Sequence, residues 1–193
     1  IGFLNNNTDV VLSFPFKDTV LEAGMSKEDS GREERFLHLE VDGTDIDTLF
    51  EPKVLTNIKY SGIQEFRNSG KAIEFFDKNG NLQQNLLIKG NNLLALHSLK
   101  QKFSNEVKCI FIDPPYYFID TKPADTFAYN SNFKLSSWLI FMKNRLEVAK
   151  ELLKENGIIF ITISDDGAHY LKVLADDIFG RENFIADVIW QSR

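Results

Sequence analysis

The stretch Val107-Lys108-Cys109-Ile110-Phe111-Ile112-Asp113-Pro114-Pro115-Tyr116 constrains the fold more than any other part of this chain. An apolar run stops abruptly there at an acid, two prolines and a tyrosine. A continuous apolar run, as opposed to an alternating one, predicts a strand covered on both faces, as in a parallel sheet flanked by helices. Open sheets of that kind place ligand sites outside the carboxyl ends of their strands. Pro114 lacks an N–H and Pro115 biases Pro114 away from helical geometry, so the chain leaves the sheet extended and stiff. Asp113 then offers carboxylate oxygens, the proline carbonyls offer acceptors outside any ladder, and Tyr116 offers a flat ring. Together these suit a planar group bearing an NH2, of which adenine is one. The plain alternative is a strand end that turns at two prolines. At residue frequencies of about 5% each, however, a specified Asp-Pro-Pro-Tyr arises by chance in roughly one chain of this length per thousand.

The surrounding periodicities build a sheet and helices around that strand. Between Ala72 and Ile88 the pattern Ile73-Glu74-Phe75-Phe76, Asn79-Gly80, Leu86-Leu87-Ile88 predicts strands about a turn. Asn91 or Asn92 then caps a helix with the apolar stripe Leu93, Leu96 and Leu99, ending near Phe103. With the Val107 strand this makes a βαβ unit. Ser136 or Ser137 is the expected cap of a long helix carrying Trp138, Met142, Leu146, Ala149 and Leu153 on one face. Lys143 and Glu147 pair on the other, and Gly157 is its expected stop. A second buried strand is expected over Ile158 to Ile163. Ser164-Asp165-Asp166-Gly167 opens a helix to Phe179, and Phe184 to Trp190 reads as a last strand. Asp165 and Asp166 either face the site at the strand end or belong to an N-cap. The segment between Tyr116 and Ser136 lacks a regular period and carries Phe118, Phe127, Tyr129 and Phe133, which serve either as a lid over a base or as clamps to the core.

Asp-Pro-Pro-Tyr resembles the catalytic motif of the amino-methyltransferases that act on nucleic acid, in its adenine-N6 form. The similarity runs through Leu86-Leu87-Ile88-Lys89-Gly90-Asn91-Asn92-Leu93, Trp138-Leu139-Ile140-Phe141-Met142-Lys143-Asn144-Arg145-Leu146, Gly157 to Ile161 and Ile178-Phe179-Gly180-Arg181-Glu182-Asn183-Phe184. These segments, and Leu12 to Glu22 ahead of them, look like the modification (Mod) subunit of type III restriction-modification systems. The resemblance implies an α/β, Rossmann-like S-adenosylmethionine-dependent methyltransferase fold with a mainly parallel sheet. An irregular N-terminal extension over 1–70 would precede a partial methyltransferase catalytic domain over 71–193. It implies Asp113, Pro114, Pro115 and Tyr116 as the catalytic set and Gly90 and Asn91 as contacts to the adenosine of the cofactor S-adenosylmethionine. Asn91 has capping its own helix as the alternative. Double-stranded DNA, a second copy of the subunit and the restriction (Res) helicase-nuclease are the implied partners.

The sequence departs from that family in two places. The family it resembles usually continues Asp-Pro-Pro-Tyr with Asn-Thr-Gly, where this chain has Tyr117-Phe118-Ile119. None of the 11 glycines forms a Phe-x-Gly-x-Gly turn for the methyl donor. In this class the glycine-rich half and the target-recognition region are expected beyond the catalytic half, after Arg193. The 193 residues are accordingly expected to bind S-adenosylmethionine weakly and to be inactive by themselves. A truncated or degenerate Mod-like chain, acting only as a binding or structural piece, is the competing class.

Composition sets the outer limits. At 193 residues and 43% apolar content the chain has material for a real core. The single cysteine, Cys109, excludes an internal disulfide. His38, His97 and His169 are isolated, so no metal site is expected. No apolar run approaches the roughly 20 residues of a membrane span, and the expected setting is cytoplasmic. The net charge of −6 is unhelpful for holding phosphates. It is concentrated between Glu22 and Asp47, where nine acids face three basic residues. That run reads as a solvated face, with a subunit contact as the second choice.

Overall fold

The computed structural model of the protein describes residues 12–15, 17–21, 43–56, 58, 75–119 and 134–191. In chain order these form α1 (Gly43–Phe50), α2 (Asn92–Phe103), β1 (Val107–Ile112), α3 (Leu135–Leu152), β2 (Leu153–Ile161) and α4 (Asp165–Phe179). A single 3-10 turn over Arg181–Asn183 follows α4. The architecture is mixed α/β around a small parallel sheet of two strands, β1 and β2, with α3 as the crossover between them. Parallel neighbours require such a crossover, because a tight turn can only reverse the chain.

The core lies between one face of this sheet and the two helices that follow its strands. Side chains alternate along a strand, so Ile112, Ile159 and Ile161 point together. They meet Trp138, Met142 and Leu146 of α3 and Leu171, Leu174 and Ile178 of α4. Of the expected α3 stripe, Trp138, Met142, Leu146 and Ala149 are buried on the helix, whereas Leu153 lies beyond its end. On its outer side Lys143 pairs with Glu147 at 2.8 Å. Burying each large apolar side chain stabilises the fold by about 1.5–3 kcal/mol. The opposite face of the sheet differs from expectation. Phe111 is 68% and Phe160 49% exposed, and Cys109 is exposed beside them. A continuous apolar run means that both faces suit burial; among the described residues only one of them is covered.

Several boundaries also move. The N-cap of α3 is Lys134, not Ser136 or Ser137, and Ser137 sits inside the helix fully buried. The helix does not run to Gly157. It ends at Leu152, and Leu153 is already extended as the first residue of β2. Gly157 has a different use. A Cβ there would lie 2.9 Å from the Lys154 carbonyl oxygen and 3.1 Å from that of Val107. It sits where the register slips, Val107 facing Leu153 but Cys109 facing Ile158. The glycine lets two backbones approach within an irregular pairing.

The Asn79-Gly80 turn is present. Phe76 and Leu82 form an isolated antiparallel bridge, Gly80 has φ +82°, and the Asp77 carboxylate accepts from the Asn79 and Asn81 amides at 2.8 Å each. The Asn81 side chain and these amides hold the Asp77 carboxyl below its ordinary value. The strand expected at Leu86-Leu87-Ile88 is absent, with Leu87 98% exposed. The strand expected over Phe184 to Trp190 is absent too, and Ile189 is 94% exposed. A strand needs a neighbour for its backbone groups, and the described residues provide none at either place. The βαβ unit present is therefore β1-α3-β2, not the one expected around α2.

Several of the described N-terminal residues pack against the rest of the chain. Leu12, Phe14 and Leu21 pack on the core, Lys17 pairs with Asp177 at 2.9 Å, and Asn144 Nδ2 donates to the Thr19 carbonyl at 3.1 Å. Helix α1 lies against α2, with the Phe50 and His97 rings stacked 4.0 Å apart. Most of the acidic run, residues 22–42, and the loop over 120–133 with Phe127, Tyr129 and Phe133, lie outside the described residues.

Candidate functional site

Strand β1 delivers Asp113 to its carboxyl end, where the side chain is exposed and Pro114 behind it is buried. β2 ends level with it. The Thr162 amide donates to the Ile112 carbonyl at 2.9 Å, extending the ladder by one step. From that position Thr162 Oγ1 donates to Asp113 Oδ1 at 2.5 Å. One carboxylate oxygen is therefore held by the protein, and the residue stays on the surface of the strand end.

Alternate residues after Asp113 are pinned to α3 and to the start of α4. The buried indole of Trp138 donates from Nε1 to the Pro115 carbonyl at 2.8 Å, as a buried tryptophan N–H requires. This leaves the Pro114 carbonyl as the one without a donor among the described residues. Tyr117 packs its ring on Trp138 at 5.9 Å, and its carbonyl accepts from Ser164 Oγ at 3.1 Å. The Ile119 amide donates to Asp166 Oδ2 at 3.2 Å. Asp166 thus anchors the loop, and Ser164, not either aspartate, is the N-cap of α4. Tyr116 is half-buried, its ring tilted against Phe118 at 6.3 Å. An apolar cleft of about 320 Å³, lined by Phe14, Leu135 and Tyr170 among others, contains none of these residues.

Gly90 and Asn91 occupy a second location. Asn91 is the N-cap of α2, and its Oδ1 accepts from the Leu93 amide at 3.0 Å. Next to it Asn92 Oδ1 accepts from Arg145 Nε at 2.9 Å. The Arg145 guanidinium lies 3.4 Å over the Phe141 ring, and burial pushes its pKa down to about 9. Arg145 comes seven residues after Trp138 in the sequence, roughly 10 Å along the helix at 1.5 Å per residue. Helix α3 therefore holds Asn92, the neighbour of Asn91, about two turns from its contact with the Pro115 carbonyl.

A DNA methylase family model matches residues 107–193, the span that opens with β1. The chain is 34% identical to the probable type III restriction-modification enzyme HindVI Mod subunit of Haemophilus influenzae, over 95% of this chain and 32% of that protein. The EcoP15I Mod subunit of Escherichia coli is 33% identical over 56% of the chain and 21% of its own length. Type II methyltransferase M.KpnI of Klebsiella pneumoniae is 34% identical over 52% of the chain and 25% of its own length. Residues 107–193 are a DNA methylase region.

The chain spans about a third of the HindVI relative. Within this DNA methylase region, sequence reasoning singled out the acid, prolines and tyrosine but missed Thr162 and assigned Trp138 only to the core stripe. Trp138 carried a usable signal, since a buried indole must find an acceptor. Thr162 carried none locally, because its partner lies 49 positions away. Among the described residues no helix is long and apolar enough to cross a membrane.

Proposed function

We propose that this chain is the catalytic portion of a site-specific DNA adenine-N6 methyltransferase, the modification subunit of a type III restriction-modification system. In this reading β1-α3-β2 is part of a larger Rossmann-like sheet. The observation that carries the reading is the exposed Asp113 carboxylate, followed by a Pro114 carbonyl without a donor among the described residues and by the Tyr116 ring. The exocyclic amine of adenine is a poor nucleophile because its lone pair is delocalised into the ring. Asp113 accepts one N6 hydrogen and the Pro114 carbonyl the other, which localises the pair on nitrogen. The Pro115 carbonyl is already taken by Trp138, which supports Pro114 as the backbone acceptor.

S-adenosylmethionine, when bound, supplies a methyl on a sulfonium sulfur that leaves as a neutral thioether with the C–S bonding pair. Gly90 and Asn91 suit one side of such a ligand. A Cβ at Gly90 would meet nothing within 4 Å, and Asn91 Nδ2 has no partner among the described residues. N6 forms the new bond to carbon and releases one proton to the Asp113 carboxylate or to water. Holding the reactants in line is worth about 7–11 kcal/mol of the barrier, and placing the Asp113 charge against the amine adds to it. The base must leave the duplex at a cost of a few kcal/mol; stacking on Tyr116 returns about 1–3 kcal/mol. Duplex DNA, a second copy of the subunit and a Res helicase-nuclease are the partners that go with this assignment.

The test joins the 193 residues to the part of the HindVI Mod subunit beyond the matched region and measures transfer of labelled methyl to duplex DNA. Transfer is expected, with a loss of roughly 10²–10³-fold or more in Asp113→Ala. An Asp113→Ala fusion as fast as the parent refutes the assignment. A second reading, a Mod-like chain that only binds or supports, draws on Tyr117-Phe118-Ile119 following the motif in place of the Asn-Thr-Gly that the resemblance leads one to expect. An inactive but folded parent fusion would favour it.

A further inference from the structure

We propose that Thr162 is the positioning residue for the Asp113 carboxylate, deciding which of its two oxygens faces the substrate amine; this rests on the adenine-methylation reading above. A carboxylate at an exposed strand end would otherwise turn freely in water and sample several rotamers. Thr162 removes that freedom from a rigid base. Its amide is held to the Ile112 carbonyl at 2.9 Å, so its backbone is part of the sheet. As a β-branched residue it has few χ1 choices there. The hydroxyl sits 2.5 Å from Asp113 Oδ1 and 3.4 Å from the Ile112 carbonyl. Having one proton, it donates to the nearer and charged acceptor.

The consequence is a division of labour within one carboxyl group. Oδ1 is engaged by Thr162, and Oδ2 is left as the freer acceptor for the N6 hydrogen. The plane of the carboxylate is fixed by the hydroxyl, and the direction of the other acceptor by the Pro114 carbonyl and the stiff Pro-Pro link. Both acceptors are then aimed before the base arrives. Such preorganisation raises the rate of the chemical step without adding contacts to the DNA.

Two measurements separate this proposal from the reading beneath it. In the full 193-residue chain, NMR couplings between the Asp113 α and β protons report its χ1. A single rotamer is expected in the parent and in Thr162→Ser, and averaged couplings in Thr162→Val and Thr162→Ala. In the fusion enzyme, Thr162→Val should lower kcat roughly 10–100-fold with KM for DNA nearly unchanged, and Thr162→Ser should restore most of it. Fixed Asp113 couplings in both hydroxyl-free variants, or a change confined to KM, would overturn the role of Thr162. Full activity of Asp113→Ala would instead overturn the adenine-methylation reading, whatever the couplings show.

Discussion

Replacing Trp138 by phenylalanine should unsettle the segment after Asp113 more than its size change suggests. Trp138 is fully buried, and its indole N–H is the donor to the Pro115 carbonyl at 2.8 Å. Phenylalanine keeps a ring against Tyr117 but removes that donor. A carbonyl left unsatisfied away from water costs about 1–3 kcal/mol. Pro115 is half-buried, so water can reach part of it and the lower half of that range applies. The smaller ring also leaves a void, worth about 1–2 kcal/mol given that complete removal of a buried aromatic costs 3–5. The sum is about 2–4 kcal/mol, a large share of the 5–15 kcal/mol that holds a typical domain. With a urea slope of about 1–3 kcal/mol per molar, the midpoint followed by circular dichroism should fall by roughly 1–2 M. Fluorescence gives a second check. The chain has two tryptophans, and Trp190 is 87% exposed, so the variant should lose blue-shifted emission and keep the red-shifted part. A midpoint within about 0.3 M of the parent would mean that the indole hydrogen bond does not hold this segment.

Three further outcomes are expected. Gly167→Ala should destabilise by about 1 kcal/mol. Its Cβ would come within 3.2 Å of the Trp138 ring and 3.3 Å of Ile163. Overpacking at about 1–3 kcal/mol outweighs the gain of up to about 1 from helix propensity; a raised urea midpoint would contradict this. His97 has its pKa lowered from 6.5 by burial, so below pH 6.5 the unfolded chain takes up the proton more readily and stability falls as pH drops towards the folded value. His97→Phe should shrink the difference between urea midpoints measured at about pH 7.5 and about pH 5.5, and an unchanged difference would refute that source. Calorimetry of S-adenosylmethionine with the 193 residues should show weak or no heat of binding. A tight one-to-one complex would mean that Gly90 and Asn91 belong to a complete donor pocket.

What the sequence determined by itself is the set of features built from neighbours in the chain. Helices α2, α3 and α4 follow from apolar residues three and four apart, and β1 from an apolar run closed by Asp113. The turn at Asn79-Gly80 and the cap at Asn91 follow from side chains that bond backbone within a few positions. The chemistry-bearing Asp-Pro-Pro-Tyr was legible for the same reason, since proline acts on its own φ and on the residue before it. Tertiary structure decided everything that needs a distant partner. Thr162 meets Asp113 across 49 positions and Trp138 meets Pro115 across 23. Gly157 is a contact with Val107 and not a helix stop. Leu86 to Ile88 and Phe184 to Trp190 have strand-like composition, yet a strand exists only where another segment takes up its backbone hydrogen bonds. An apolar pattern states what a segment can bury; which surface arrives to bury it is settled in three dimensions.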